Sequence, residues 1–282
     1  MKLVSFRRNG NPGYGVVKDD GIVDIGAKLP NAPTLRALLE TGGLEKARDL
    51  AASAAVDVAL ADITFDPVIP DPAKIICIGL NYRDHVAETG RTETANPALF
   101  PRYPASQVGH GQPMIKPLES DVFDYEGELA VIIGTGGRRI SKDDAFAHIA
   151  GYSCYNDGSI RDWQGHTGQF MAGKTFVGTG GFGPWMVTTD EIPDPSALTL
   201  TTRLNGQVMQ TSTTDMLITP IPGLIAYIST ILPLEPGDVI ATGTPAGVGF
   251  KRTPPVLMRD GDTIEVEISQ IGTLSNPVVA ER

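Results

Sequence analysis

The chain has 282 residues, 41% of them hydrophobic and 20% charged, with a net charge of −10 and a pI near 4.9. That length buries a full core, the composition is that of a soluble globular protein, and the acidity argues against nucleic acid or an anionic membrane surface as partner. Thirty-two glycines and 22 prolines demand many turns, which excludes a helical bundle and points to a β-rich body.

In chain order, short strands are expected at 2–6, 15–18 and 21–25, separated by Gly, Asn and Asp turns. Residues 1–10 lack an apolar core followed by a cleavage site, so no secretory signal is expected. Thr34 is a plausible N-cap for a helix over 35–40, with Gly42 as its stop, and a second helix runs over 44–54. Three prolines within 65–73 mark a linker, which divides the chain into a small N-terminal α/β domain (1–70) and a larger second domain (71–282). A buried strand over 74–79 leads into Asn81-Tyr-Arg-Asp-His-Val-Ala-Glu-Thr-Gly90. There, His85 and Glu88 share a face on a helical turn. A carboxylate beside an imidazole fixes its tautomer and raises its basicity, as a general base requires; a surface ion pair is the plain alternative.

Glu126 and Glu128 open an apolar run, Leu129 to Ile133. Residues i and i+2 of a strand point to one face. Two carboxylates at the lip of a buried strand repel each other and lose hydration, an arrangement favoured mainly by a cation between them. The pair Glu265 and Glu267 is the ordinary counterpart, alternating with Ile264, Val266 and Ile268 so that the acids face water. Asp157, 29 residues beyond Glu128, is a natural third oxygen ligand. Three carboxylates without Cys or His suit a hard ion, Mg²⁺ or Mn²⁺.

Further on, a helix is expected over 141–151, N-capped by Ser141 and stopped by Gly151, and a hairpin over 198–209 turns at Asn205-Gly206. Lys174 between glycine and apolar neighbours is either a charge-stabilising group near the metal or a loop cation. The segment 221–232 is helical but too short and Pro-flanked to span a membrane. The loop Thr242-Gly-Thr-Pro245 offers a hydroxyl and backbone N–H groups to a substrate carboxylate, although such turns also occur without a ligand. A final edge strand is expected at 258–268. Cys77 and Cys154 sit in apolar stretches as small buried hydrophobes, which fits a reducing, cytoplasmic location. His110, His148 and His166 show no ligand spacing, and the glycine clusters at 135–137 and 178–183 fit no phosphate-binding pattern. The fold class is therefore antiparallel-rich α+β.

Six ordered blocks over 72–282 resemble the fumarylacetoacetate hydrolase family: Asn81-Tyr82…His85…Glu88; Asp124-Tyr-Glu-Gly-Glu128; Asn156-Asp157…Arg161-Asp162…Gln164; Gly173-Lys174; Pro236-Gly-Asp-Val-Ile240; and Thr242-Gly-Thr-Pro245. The resemblance implies a mixed β-sandwich roll and a homodimer. It makes Glu126, Glu128 and Asp157 the Mg²⁺/Mn²⁺ ligands, Lys174 the lysine beside the metal, and His85 with Glu88 the acid–base dyad on a lid. It makes Gln164 and Thr244 substrate contacts. The chain departs from the family where members often carry a lysine in the loop after the lid; Arg102 stands in that loop, and its fork is a candidate for binding the substrate's anionic end.

The resemblance further implies a metal-dependent hydrolase that cleaves a C–C bond in a 2,4-diketo acid of the acylpyruvate type, giving pyruvate and a carboxylic acid. Oxaloacetate-type decarboxylation and keto–enol or double-bond isomerisation of a 2-oxo acid are the alternatives at the same site. A non-enzymatic metal-binding paralogue would be expected to have lost a ligand, the dyad or the lysine; all are present.

Overall fold

The computed structural model describes residues 1–282. Its centre is the strand Gly127–Ile133, buried along its whole length. It pairs antiparallel with Ile149–Asn156 on one side and with Val239–Ala241 on the other. Leu129, Val131 and Ile133 belong to one hydrophobic cluster, and Ala130 and Ile132 to another. The uninterrupted apolar run is thus a strand with core on both faces, and the Glu126–Glu128 side of it continues through Ala130 and Ile132.

This strand lies within a 12-stranded sheet. Beyond Val239–Ala241 come Ile75–Gly79, in parallel, and then Ala98–Arg102 at the edge. Beyond Ile149–Asn156 comes Gly180–Thr188, and against that the N-terminal strand Lys2–Arg8, with Leu3 opposite Met186. A five-stranded sheet packs on one face, and the helices Leu35–Glu40 and Leu44–Ser53 pack on the other, where they share a core cluster with Leu3, Val16 and Val23 of the N-terminal strands in the main sheet. The fold is α+β, rich in strands and mostly antiparallel. The prolines at 65–73 separate two stretches of sequence, yet the sheet and one core cluster run through both. The N-terminal ammonium is anchored there too, 2.6 Å from Thr188 Oγ1 and 2.7 Å from Glu191. No helix is long and apolar enough to cross a membrane.

Gly127 explains the spacing of the two glutamates. A Cβ there would come 2.1 Å from Thr202 Oγ1 of the second sheet. The small residue lets the sheets close over the strand, while its neighbours turn their carboxylates the other way.

Two local expectations are corrected. Residues 141–151 do not form a helix: a 3-10 turn covers Ala145–His148, and the chain is extended from Ile149. The Ser141–Asp144 capping contacts do form, at 2.7 and 3.1 Å. Pairing of Ile149–Asn156 along both of its own edges, inside the main sheet, outweighs a short run of helix formers. Thr263–Ile268 is an interior strand, because Gly272–Ala280 pairs along its outer side. Pro277 in that last strand disguises it, since proline normally breaks a ladder. The hairpin Thr199–Leu204 to Gln207–Thr213 forms as expected around Asn205-Gly206.

Candidate active site

Antiparallel pairing assembles the acid cluster. Gly127 faces Asn156, and just past the paired segment the Asp157 N–H donates to the Glu126 carbonyl at 2.8 Å. The ladder therefore places Asp157 across from Glu126, and candidate ligand oxygens of Glu126, Glu128 and Asp157 lie within 4.8 Å of one another, all buried. Lys174, at the end of the short helix Met171–Lys174, puts Nζ 2.6 Å from Glu126 Oε2 and 2.7 Å from Asp157 Oδ2. Arg161 lies 2.6 Å from Glu126 Oε1 and donates to Asp124 Oδ2 at 2.8 Å. Asp124 in turn accepts the N–H groups of Gly249 and Phe250 at 2.8 and 3.1 Å.

The electrostatics separate the two glutamates. Burial raises the Glu126 carboxyl, but Lys174 and Arg161 outweigh it and hold it at about 2. Burial pushes the Glu128 carboxyl well up, with Asp157 and Glu126 adding to the effect. Lys174 loses hydration, yet Asp157 and Glu126 keep its ammonium above its ordinary range. Four buried carboxylates (Asp124, Glu126, Glu128, Asp157) face two buried cations (Arg102, Lys174) and the nearly buried Arg161. The excess negative charge is concentrated on Glu128, whose one protein hydrogen bond comes from Gly243 N–H to Oε2 at 2.8 Å. An all-oxygen set with one under-compensated carboxylate on a cavity wall fits a hard divalent cation held by Glu126, Glu128 and Asp157.

His85 and Glu88 lie on the helix Arg83–Thr89. His85 is 6% exposed, and its Nδ1 is 3.2 Å from Glu88 Oε2. Glu88 Oε1 accepts Gly247 N–H at 3.0 Å. Burial raises this carboxyl, but the contacts with His85 and Gly247 win and bring it below its ordinary value. With Nδ1 occupied, Nε2 is the ring nitrogen without a protein partner. Asn81 fixes the start of this helix by donating to the Thr219 and Thr242 carbonyls at 3.1 and 2.8 Å.

His85, Glu126, Glu128, Gln164, Lys174 and Thr244 line one cavity of about 320 Å³. Gln164 Oε1 accepts from Arg161 at 3.0 Å, which leaves its amide N–H groups for a ligand. The Thr244 hydroxyl donates to Gly127 O at 2.9 Å and accepts from Gln210 at 2.8 Å, so its proton is already engaged by the protein. Glu88 stands behind His85 rather than on the wall.

Arg102 is the residue the structure moves. It does not line the cavity; its side chain is fully buried behind Asp157, donating to Oδ1 at 2.6 Å, to Gly158 O at 3.0 Å and to Thr179 Oγ1 at 2.8 Å. A guanidinium so occupied has no free fork for a substrate. Sequence reasoning also passed over the roles of Asp124 and Arg161. The same alternation that pairs Glu126 with Glu128 extends back to Asp124, and that was the available signal for it.

Residues 74–279 match the family model for the fumarylacetoacetate (FAA) hydrolase C-terminal domain. Over 99% of this chain and 90% of the relative, the sequence is 39% identical to a mitochondrial oxaloacetate tautomerase of Xenopus laevis. It is 44% identical to an oxaloacetate tautomerase of Bacillus subtilis over 78% of this chain and 74% of that one. A maleylpyruvate hydrolase from Sphingobium sp. SYK-6, solved in complex with manganese (II) ion and pyruvate, superposes with a TM-score of 0.84 at 31% identity, covering 100% of both chains. A fumarylacetoacetate hydrolase from Exiguobacterium antarcticum does so with a TM-score of 0.84 at 35% identity, again over 100% of both. With the domain match, these whole-length similarities and the shared fold in agreement, the chain belongs to the fumarylacetoacetate hydrolase family.

Proposed function

We propose that the protein is a divalent-metal-dependent enzyme of 2-oxo acids and that it interconverts the keto and enol forms of oxaloacetate. The observation that carries this reading is the His85 ring on the cavity wall, oriented through Nδ1 by Glu88 and free at Nε2, beside the buried acid cluster. The near full-length similarity to an oxaloacetate tautomerase supports the choice of reaction.

Mg²⁺ or Mn²⁺ on Glu126, Glu128 and Asp157 would supply a Lewis acid for the oxygens of the 2-oxo acid. His85 Nε2 takes the proton from the substrate carbon next to the keto group. The C–H electron pair becomes the C=C bond, and the carbonyl π pair moves to oxygen. That oxygen then takes the proton from the imidazolium Nε2, which completes the enol and returns His85 to its neutral form, and the reverse sequence restores the keto form. Glu88 accepts the hydrogen bond from Nδ1–H and stabilises the imidazolium while Nε2 holds the transferred proton. Lys174 and Arg161 fix the oxygens of Glu126 and Asp157, and the Gln164 amide offers donors to the substrate.

The hydrolase reading stands second, supported by the manganese- and pyruvate-bound hydrolase of the same fold. A cavity of about 320 Å³ is at the lower end of the ~300–1,000 Å³ typical of small-molecule sites and admits a longer diketo acid. There His85 would take a proton from water, which attacks the carbonyl distal to the 2-oxo acid end.

One assay tests both. The enol absorbance of oxaloacetate and of an acylpyruvate is followed with Mg²⁺, with and without EDTA, and pyruvate is measured in the same cuvette. Faster relaxation of the oxaloacetate enol without pyruvate supports tautomerisation. Stoichiometric pyruvate from the acylpyruvate supports hydrolysis, and pyruvate from oxaloacetate indicates decarboxylation. No metal-dependent change with any of these would overturn the assignment.

A further inference from the structure

Four cations line the cavity: Arg91, Arg161, Lys174 and Lys251. Arg161 and Lys174 are already matched by Asp124, Glu126 and Asp157. The other two rest on aromatic rings of the same wall. The Arg91 guanidinium carbon lies 5.1 Å from the Phe170 ring centroid, and Lys251 Nζ lies 5.7 Å from that of Phe250. Neither makes an ion pair or a side-chain hydrogen bond within the chain.

We propose that Arg91 and Lys251 form a subsite for a second carboxylate, which makes the enzyme selective for 2-oxo dicarboxylates over 2-oxo monocarboxylates. The proposal rests on the reading of the cavity as a 2-oxo acid site and deepens it by naming the substrate class. A cation on the acid cluster accounts for the 2-oxo acid end of a ligand. A further carboxylate enters a protein of net charge −10 and needs local positive charge to counter that field. Arg91 and Lys251 are the cavity cations with charge left to offer.

Each is also tied by its backbone to one half of the site. Gly90, at φ +70°, ends the helix Arg83–Thr89; its N–H bonds the Ala87 carbonyl at 3.1 Å, and the Arg91 N–H bonds that of Val86 at 3.2 Å. This closed helix end couples Arg91 to the element that carries His85 and Glu88. Lys251 follows Gly249 and Phe250, whose N–H groups hold Asp124. A carboxylate bridging the two cations draws the base helix toward the acid cluster. Binding energy from the unreactive end of the substrate then orients the base, and a monocarboxylate forfeits it.

The test is calorimetric titration of the Mg²⁺-loaded protein with pyruvate and with oxaloacetate, which differ by the second carboxylate. The expected result is tighter binding of oxaloacetate. Arg91→Gln and Lys251→Gln should each weaken oxaloacetate roughly fivefold while moving pyruvate less than about twofold. Arg83→Gln, an exposed cation on the same helix paired with Glu93, should leave the ratio unchanged. Equal affinity for the two acids in the native protein, an unchanged ratio in both variants, or parallel losses for both acids would each overturn the subsite. Selective binding of oxaloacetate without its tautomerisation would sink the proposed function and leave the subsite standing; tautomerisation without selectivity would do the reverse.

Discussion

Arg102 Nη1 lies 2.6 Å from Asp157 Oδ1, and both side chains are completely shielded from solvent. The guanidinium occupies one carboxylate oxygen from behind while Lys174 approaches the other at 2.7 Å. Asp157 is therefore gripped at each oxygen by a fixed cation, and its direction is set before any ligand arrives. Breaking one side of such a pair strands a buried charge. Arg102→Met should destabilise the protein by about 3–5 kcal/mol, read as a shift in the urea midpoint. Arg102→Lys should recover part of that loss, because it returns the charge without the fork.

Metal binding should stabilise the fold through linkage. At a free Mg²⁺ or Mn²⁺ concentration of about 100 times Kd the gain is ~2.7 kcal/mol, or about 5 °C or more in Tm for a chain of this size. Glu128→Gln should abolish that response. The same variant should raise the Tm of the metal-free protein near neutral pH, because burial and its acidic neighbours disfavour the charged form of Glu128. A Tm that ignores both metals in the native protein would contradict the cation site.

Removing the base should separate chemistry from metal binding. His85→Gln is expected to slow substrate turnover roughly 10²–10⁴-fold while the metal-induced rise in Tm persists. Glu88→Gln should cause a smaller loss, since the ring stays in place but its imidazolium is less stabilised. Loss of metal response in His85→Gln would assign the ring to the metal instead.

His110 gives a pH dependence away from the site. Its ring packs edge-on to Phe65 at 5.0 Å, and Nδ1 accepts the Ser275 N–H at 3.1 Å. Burial depresses its pKa below the ordinary 6.5. The unfolded chain therefore binds the proton more readily than the folded one. Stability contributed by the neutral ring is fully present above about 6.5 and declines as pH falls through that value toward the depressed folded pKa. Urea midpoints measured between pH 7.5 and 5 should show a shallower acid loss in His110→Gln than in the native protein.

Gly127→Ala tests the sheet contact. The added Cβ would meet Thr202 Oγ1 at 2.1 Å, so the sheets must part or Thr202 must move. Overpacking of this kind costs about 1–3 kcal/mol. Thr202 Oγ1 is buried without a partner and can be removed, so Thr202→Ala should rescue part of the loss in the double variant.

Local information reaches a definite limit along this chain. Strand periodicity alone places Glu126 and Glu128 on one side of a buried strand, and helical spacing alone puts Glu88 beside His85. Asn205-Gly206 closes its hairpin because left-handed turn residues decide a two-residue loop locally. The helix expected over 141–151 fails for the opposite reason. Its capping residues make their contacts, but Ile149–Asn156 is claimed by two neighbouring strands that the local sequence does not reveal.

The residue types and spacings of this chain were sufficient to determine an α+β body, an oxygen-only acid cluster and a histidine–carboxylate pair, because each depends on neighbours within a few residues. The tertiary structure alone decided that the ladder sets Asp157 across from Glu126 and that Lys174 bridges them. It also decided that Arg102 supports Asp157 from behind while Arg91 and Lys251 keep their charge for the cavity. Every cation on a sequence carries the same formal charge. Which of them remains unmatched depends on which strands and loops cross, and a carboxylate in a low-dielectric interior takes the nearest cation the fold brings to it.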